Sequence, residues 1–188
     1  MEPFADWGRI DSAGIVGVMH AYRLGPGHSA LRRGRVSTPG RIYLVTFTTR
    51  DREPMFADHD AARACARAVT DPQLWPGSRL LAWVLMPDHW HGLLTLGDED
   101  DLSHRIARVK TNSSRAVGAT AAGGVGVWAR SFHDRILRNG CEELFRAAHY
   151  VVMNPVRAGL VSHVGDYPYW DTVWLNRTAH VSHTVGAA

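Results

Sequence analysis

The stretch that decides the fold is Leu80-Leu81-Ala82-Trp83-Val84-Leu85-Met86-Pro87-Asp88-His89-Trp90-His91-Gly92-Leu93-Leu94 (LLAWVLMPDHWHGLL, 80–94). Leu80 to Met86 is an unbroken apolar run bounded by turn-forming residues, which reads as a buried strand. Pro87-Asp88 kinks it, and Trp90 to Leu96 continues as a second extended piece. Side chains alternate faces along a strand. His89 and His91 therefore project side by side, with Trp90 on the opposite face. Two neighbouring imidazoles are a ready pair of ligands for a divalent metal. An isolated H-x-H is equally read as a solvated or hydrogen-bonded surface pair.

Outward from this stretch, Ile42 to Thr49 (IYLVTFTT) is rich in β-branched and aromatic residues and reads as a first strand. Asp58 to Val69 reads as a helix with Asp58 as its N-cap. Asp71, Pro72, Pro76 and Gly77 break the chain. Gly97 and the acidic run Asp98 to Asp101 form a turn. Leu102 to Val117 is helical, with Leu102, Ile106, Val109 and Ala116 on one stripe and Arg105, Arg108, Lys110 and Arg115 outside it. Gly118 to Gly126 is a small-residue loop. Trp128 to Leu137 alternates as a strand, and Cys141 to Met153 forms a second long helix whose Leu144, Ala148, Val151 and Val152 face the core. Pro155 ends that helix, because the residue before proline is biased away from helix. Strands and helices intermingle, with several short or kinked strand junctions. This favours an α+β fold with helices layered on a mostly antiparallel sheet.

The chain has 188 residues, 45% of them hydrophobic, including seven Trp, which suits one globular domain rather than a disordered chain. Cys65 and Cys141 make no disulfide framework and no C-x-x-C metal spacing; each reads as a small buried residue in a helix. The N-terminus has no basic-then-apolar run and no apolar stretch reaches membrane-spanning length, so a soluble cytoplasmic protein is expected. Net charge is +3, but it is unevenly spread: residues 51–100 carry four Arg against nine acids, and residues 101–160 carry nine Arg or Lys against four acids. A basic face for an anionic partner is one reading. Lys110 is the only lysine among 21 basic residues. Arg suits phosphate and stacks on bases, though an Arg-rich codon preference explains the ratio equally well. Residues 1–30 read as a weakly structured extension, 31–175 as one domain and 176–188 as a tail. Arg32, Arg33 and Arg35 form a small basic cluster, or a solvated linker, at the domain's start.

The second constellation is His149-Tyr150-Val151-Val152-Met153-Asn154-Pro155. Tyr150 lies off the apolar stripe of its helix, with Asn154 one turn later and Arg146 one turn earlier on the same side. The plain alternative makes Tyr150 an amphipathic boundary residue and Asn154 the N-cap of a short turn starting at Pro155. A metal on two imidazoles and an amide oxygen keeps positions open for the oxygens of a phosphodiester. A tyrosine hydroxyl attacking phosphorus would form a phosphotyrosine and conserve the bond energy for rejoining. No G-x-S-x-G, Walker A or G-x-G-x-x-G pattern competes with this reading.

At these residues the sequence resembles the REP-associated tyrosine transposases, relatives of the single-tyrosine insertion-sequence transposases and members of the HUH endonucleases. The matching stretches are YLVTFTTRDREPMF (43–56), LLAWVLMPDHWHGLL (80–94), VKTNSSR (109–115), VWARSFHDRILR (127–138), HYVVMNPVRAGLV (149–161) and GDYPYWDTVW (165–174). The resemblance implies a ferredoxin-like sheet flanked by helices, with His89 and His91 on a central strand. It implies Tyr150 as the nucleophile joined to a DNA 5′ phosphate, Asn154 as third metal ligand beside His89 and His91, and magnesium or manganese as the metal. It implies a hairpin-bearing single-stranded DNA partner of the palindromic-repeat type, met in the bacterial cytoplasm at the nucleoid by a monomer or homodimer. Arg105, Arg108, Lys110, Arg115 and Arg146 are the candidate DNA contacts. Asp88 reads as a residue supporting a ligand. Trp128, Phe132 and Trp170 are candidates for stacking on unpaired bases, or core residues. A non-catalytic hairpin-binding descendant is the alternative function, and a metallohydrolase using activated water a third.

Overall fold

The computed structural model describes residues 37–118, 126–138 and 140–174. The extension at 1–30, the tail at 176–188, the Arg32–Arg35 cluster and most of the 118–126 loop lie outside these residues. Among the described residues there are five strands: β1 (Ile42–Thr48), β2 (Arg79–Met86), β3 (His89–Thr95), β4 (His133–Ile136) and β5 (Trp170–Thr172). The helices are α1 (His59–Val69), α2 (Leu102–Gly118), α3 (Cys141–Val152) and the one-turn α4 (Asn154–Arg157). The strands form one sheet in the order β4-β1-β3-β2-β5, and every neighbouring pair is antiparallel. The first four strands with α1 and α2 make the ferredoxin-like α+β arrangement expected from the sequence; β5 extends it at the β2 edge.

Alternation along the strands divides the core. Tyr43, Val45 and Phe47 of β1, Trp83 and Leu85 of β2, and Trp90 and Leu94 of β3 join Ala61, Ala62, Cys65 and Val69 of α1 and Leu102, Ile106 and Val109 of α2 in one apolar cluster. The opposite face carries Leu44, Thr46, His89, His91 and Leu93. There α3 packs on β2, β3 and β5, with Ala147, Ala148, Val151 and Val152 buried. The face bearing the histidines is thus the one covered by the helix bearing Tyr150.

Helix starts follow local chemistry. Asp58 accepts from the Ala61 amide at 2.8 Å, capping α1 as expected. Asp101 accepts from the His104 amide at 2.8 Å, and Ser37 accepts from that of Leu102 at 2.9 Å, so both cap α2. Three expectations need correction. Pro87-Asp88 is no kink in a continuing strand: Met86 pairs with His89, so these two residues are the turn of a β2–β3 hairpin. Neither turn residue has positive φ, so the Gly or Asn signal of primed hairpin turns is absent from the sequence. The Trp128–Leu137 strand shrinks to His133–Ile136; Trp128 makes one isolated bridge with Thr49 and is core, its indole N–H donating to Ser113 at 2.8 Å. Cys141 is exposed, while Cys65 is buried as expected. No helix of the described residues is long and apolar enough to cross a membrane.

Candidate active site

The hairpin sets the geometry of the histidine pair. His89 faces Thr48 across the β1–β3 ladder and His91 faces Thr46. The two imidazole centroids are 4.7 Å apart, edge to face. His91 is only 5% exposed, and its Nδ1 is hydrogen-bonded to Thr46 Oγ1 at 2.7 Å. His89 Nδ1 is held by Asp88 Oδ1 at 2.5 Å. With Nδ1 engaged in both rings, Nε2 is the nitrogen each has left for a metal. Burial holds both imidazoles below their ordinary pKa. For His91, the charges of His89, Arg157 and Arg52 push the same way; for His89, the Asp88 carboxylate pulls partly against it. Both rings are therefore kept neutral, the form that ligates metal.

Asp88 is itself held by a device that no sequence motif announces. Asp51 and Arg52 both take left-handed backbone, φ 53° and φ 56°. For residues with a Cβ this conformation costs on the order of 1–3 kcal/mol each. It brings Arg52 Nη1 to 2.9 Å from Asp88 Oδ2. Burial raises the Asp88 pKa, but His89 and Arg52 together outweigh it and keep the carboxyl below its usual range.

From the other side, α3 brings Tyr150 over the pair. Its ring centroid lies 5.7 Å from that of His91, at 76°. Tyr150 is half-buried, not simply facing solvent. Two imidazoles and a phenol from separate elements of one chain thus form one cluster. Pro155 has no N–H for the helical bond to Val151. The Asn154 side-chain amide compensates, donating to Tyr150 O at 2.9 Å and Val151 O at 3.5 Å. Asn154 is therefore not the N-cap of the following turn, a place held by Met153. Its Nδ2 is committed to α3, which leaves Oδ1 as the side-chain atom able to accept a bond or a metal. Among the described residues no group of three or more His, Cys, Asp or Glu is assembled to hold a metal. Two oriented imidazoles whose pKa values are held down are donors suited to a borderline divalent cation.

The basic candidates separate. Arg105 is not a surface contact: it is 3% exposed, its Nε and Nη2 reach Asp100 at 2.6 and 2.5 Å, and it donates to the carbonyls of Leu74 and Pro76. Lys110 donates to Ala129 O at 3.0 Å and Ser131 O at 2.7 Å, tying α2 to that segment. Arg108, Arg115 and Arg146 are exposed, the last paired with Glu142 at 3.3 Å. Phe132 is core, and Trp170 is half-buried with its indole N–H on Val164 O. Arg157, which sequence reasoning passed over, lies 4.5 Å above the Tyr150 ring centroid. Its position seven residues after Tyr150, two helical turns, was the available signal.

The profile of the family described as "Transposase IS200 like" matches residues 39–138, more than half of the chain. The chain belongs to the IS200-like transposase family. The matched residues include His89 and His91 and stop before Tyr150. Among curated relatives of this transposase, a REP-associated tyrosine transposase of Escherichia coli K12 is 32% identical over 89 residues, 47% of this chain. That match spans half of the E. coli protein's own length. A relative from Haemophilus influenzae, also named for the REP-associated tyrosine transposases, is 27% identical over 142 residues, covering 70% of this chain and 80% of its own. The fold matches a solved structure of a REP-associated tyrosine transposase bound to a REP hairpin, with a TM-score of 0.60 and 24% identity over 82% of this chain and 88% of that one.

Proposed function

We propose that this transposase cleaves and rejoins single-stranded DNA at hairpins of the REP type through a 5′-phosphotyrosine on Tyr150. The observation that carries the reading is the approach of the Tyr150 phenol to the His89–His91 pair within one chain. In the reaction, Tyr150 Oη attacks the scissile phosphorus. The Oη–P bond forms as the P–O3′ bond breaks. The phenol proton passes to solvent, and the departing O3′ takes one from solvent to become a 3′ hydroxyl. Energy of the phosphodiester is retained in the ester, so a second 3′ hydroxyl can reverse the step. His89 and His91 through Nε2, and Asn154 through Oδ1, would hold magnesium or manganese. Bound there, such a cation spreads the charge that develops on the phosphate oxygens. Thr46 and Asp88 keep the two rings oriented, and Arg52 holds the Asp88 carboxylate from its other oxygen. Arg108, Arg115 and Arg146 supply exposed charge for the phosphate backbone, so hairpin binding weakens with salt. The names of the two relatives, and the REP hairpin bound in the matching structure, support hairpin DNA as the substrate. Such DNA is met at the nucleoid, in the cytoplasm.

The test is a hairpin-bearing oligonucleotide with magnesium or manganese, resolved on a denaturing gel. A protein–DNA conjugate is expected from the wild-type chain. Tyr150→Phe should abolish it while leaving hairpin binding intact. Cleavage that persists in Tyr150→Phe would sink the tyrosine mechanism in favour of an activated water. Binding without cleavage by the wild-type chain would leave only a hairpin-binding role.

A further inference from the structure

Arg157 stands apart from every other arginine described. Its Nε and Nη1 are enclosed, yet neither has a hydrogen-bond partner among the described residues. Burying guanidinium donors without acceptors is unfavourable, more so than for neutral groups. Arg105, by contrast, is buried and satisfies itself with Asp100 and two carbonyls. Arg157 is set where it is by helix continuity across Pro155. Met153 N bonds His149 O at 2.9 Å and Arg157 N bonds Met153 O at 3.0 Å, so the helical course persists through the α3–α4 corner. Seven residues then amount to two turns, which seats the guanidinium on the face of the Tyr150 ring, 4.5 Å from its centroid. A cation on the ring face is favourable, but a ring face offers no carbonyl or carboxylate oxygen, and Nε and Nη1 remain without an acceptor among the described residues. The guanidinium carbon thus sits 4.5 Å from the centre of the ring whose hydroxyl is proposed to carry the phosphate.

We infer that Arg157 is a further catalytic residue, its guanidinium donating N–H hydrogen bonds to a non-bridging oxygen of the phosphate undergoing attack and of the resulting phosphotyrosine. The inference rests on the tyrosine reading above. Arginine suits the task because its planar donors match phosphate oxygens and it keeps its proton throughout. The group binds charge that grows as Oη approaches phosphorus, so it serves the transition state more than the resting complex.

Two substrates separate this role from a structural one: a hairpin oligonucleotide with an ordinary scissile phosphodiester, and the same oligonucleotide with a methylphosphonate there, which removes one charged non-bridging oxygen. On the phosphodiester, Arg157→Ala should slow single-turnover conjugate formation by ~10²–10³-fold, with hairpin binding retained. Arg157→Lys should recover part of that loss. On the methylphosphonate, wild-type and Arg157→Ala rates should converge to within about threefold, since the partner oxygen is gone. An equal penalty on both substrates would mean that Arg157 only braces Tyr150 and would overturn the assignment, as would no penalty on either. If Arg157→Ala proves unfolded by its melting curve, Arg157→Lys and Arg157→Gln carry the same two-substrate comparison. No conjugate from the wild-type chain overturns the tyrosine reading together with this one; a wild-type conjugate with equal penalties overturns this one alone.

Discussion

His91 sits where a proton is unwelcome. It is enclosed by α3, bonded to Thr46, and faces His89 and Arg157. Its folded pKa lies well below the ordinary imidazole value, and that of His89 is lowered too. For groups with depressed folded pKa values, the unfolded chain binds more protons than the folded one throughout the interval between the two values. The stability they contribute is whole above about 6.5, the unfolded imidazole pKa, and drains away as pH falls toward the folded values. In protein treated with a chelator, thermal melting should therefore decline as pH is lowered below about 6.5, and His91→Asn should flatten that decline. A melting temperature indifferent to pH between about 7 and 5 would contradict the enclosure of His91. The alternation of a strand made the side-by-side histidines legible from sequence. What was not legible at this scale was support. Arg52 reaches Asp88 from two consecutive residues in left-handed backbone; Asp51 is a type that tolerates it, but nothing in the sequence marks Arg52. Arg105 occupies a polar helical position by periodicity, yet Asp100 and the carbonyls of Leu74 and Pro76 enclose it.

At the scale of elements, the β3 strand has two faces with different duties. Trp90 is fully buried, stacked on Phe47 at 4.8 Å, and its ring also lies over Gly92. A Cβ on Gly92 would collide with the six-membered ring of the Trp90 indole. The obstacle is a rigid, enclosed side chain rather than the tip of a flexible one, so it cannot step aside cheaply. Gly92→Ala should cost about 1–3 kcal/mol or more by overpacking, read as a lower denaturation midpoint. Unchanged stability would show that the indole repacks freely. Strand-forming residue types, an unbroken apolar run and helical periodicity made most of the strands and helices of the ferredoxin-like core readable, and the caps at Asp58 and Asp101 follow ordinary helix-start chemistry. The β2–β3 hairpin stayed hidden, because Pro87-Asp88 lacks the residues that mark tight primed turns. So did the accommodation of Pro155, because the relief comes from a side chain one residue earlier.

At the scale of the whole molecule, the sheet separates packing from chemistry. The α1–α2 face holds most of the apolar cluster, and the α3 face holds the site. Since β3 and α3 of one chain supply both parts, each copy should work alone. Mixing Tyr150→Phe protein with His89→Ala protein is then expected to yield no conjugate with a hairpin oligonucleotide; recovered activity would mean that α3 is exchanged between copies. The uneven charge seen along the sequence is softened in three dimensions, where Arg105, Arg135 and Arg146 are each paired with a carboxylate. Because the indole of Trp90 and the imidazoles of its neighbours hang from opposite sides of a single ribbon, disturbance on the indole's side is expected to surface as failure of the proposed nicking on the other. A screen of variants for loss of the proposed protein–DNA conjugate would then return Gly92, Trp90 and Phe47 alongside His89 and Tyr150. Only a melting curve would sort the broken scaffold from the broken tool.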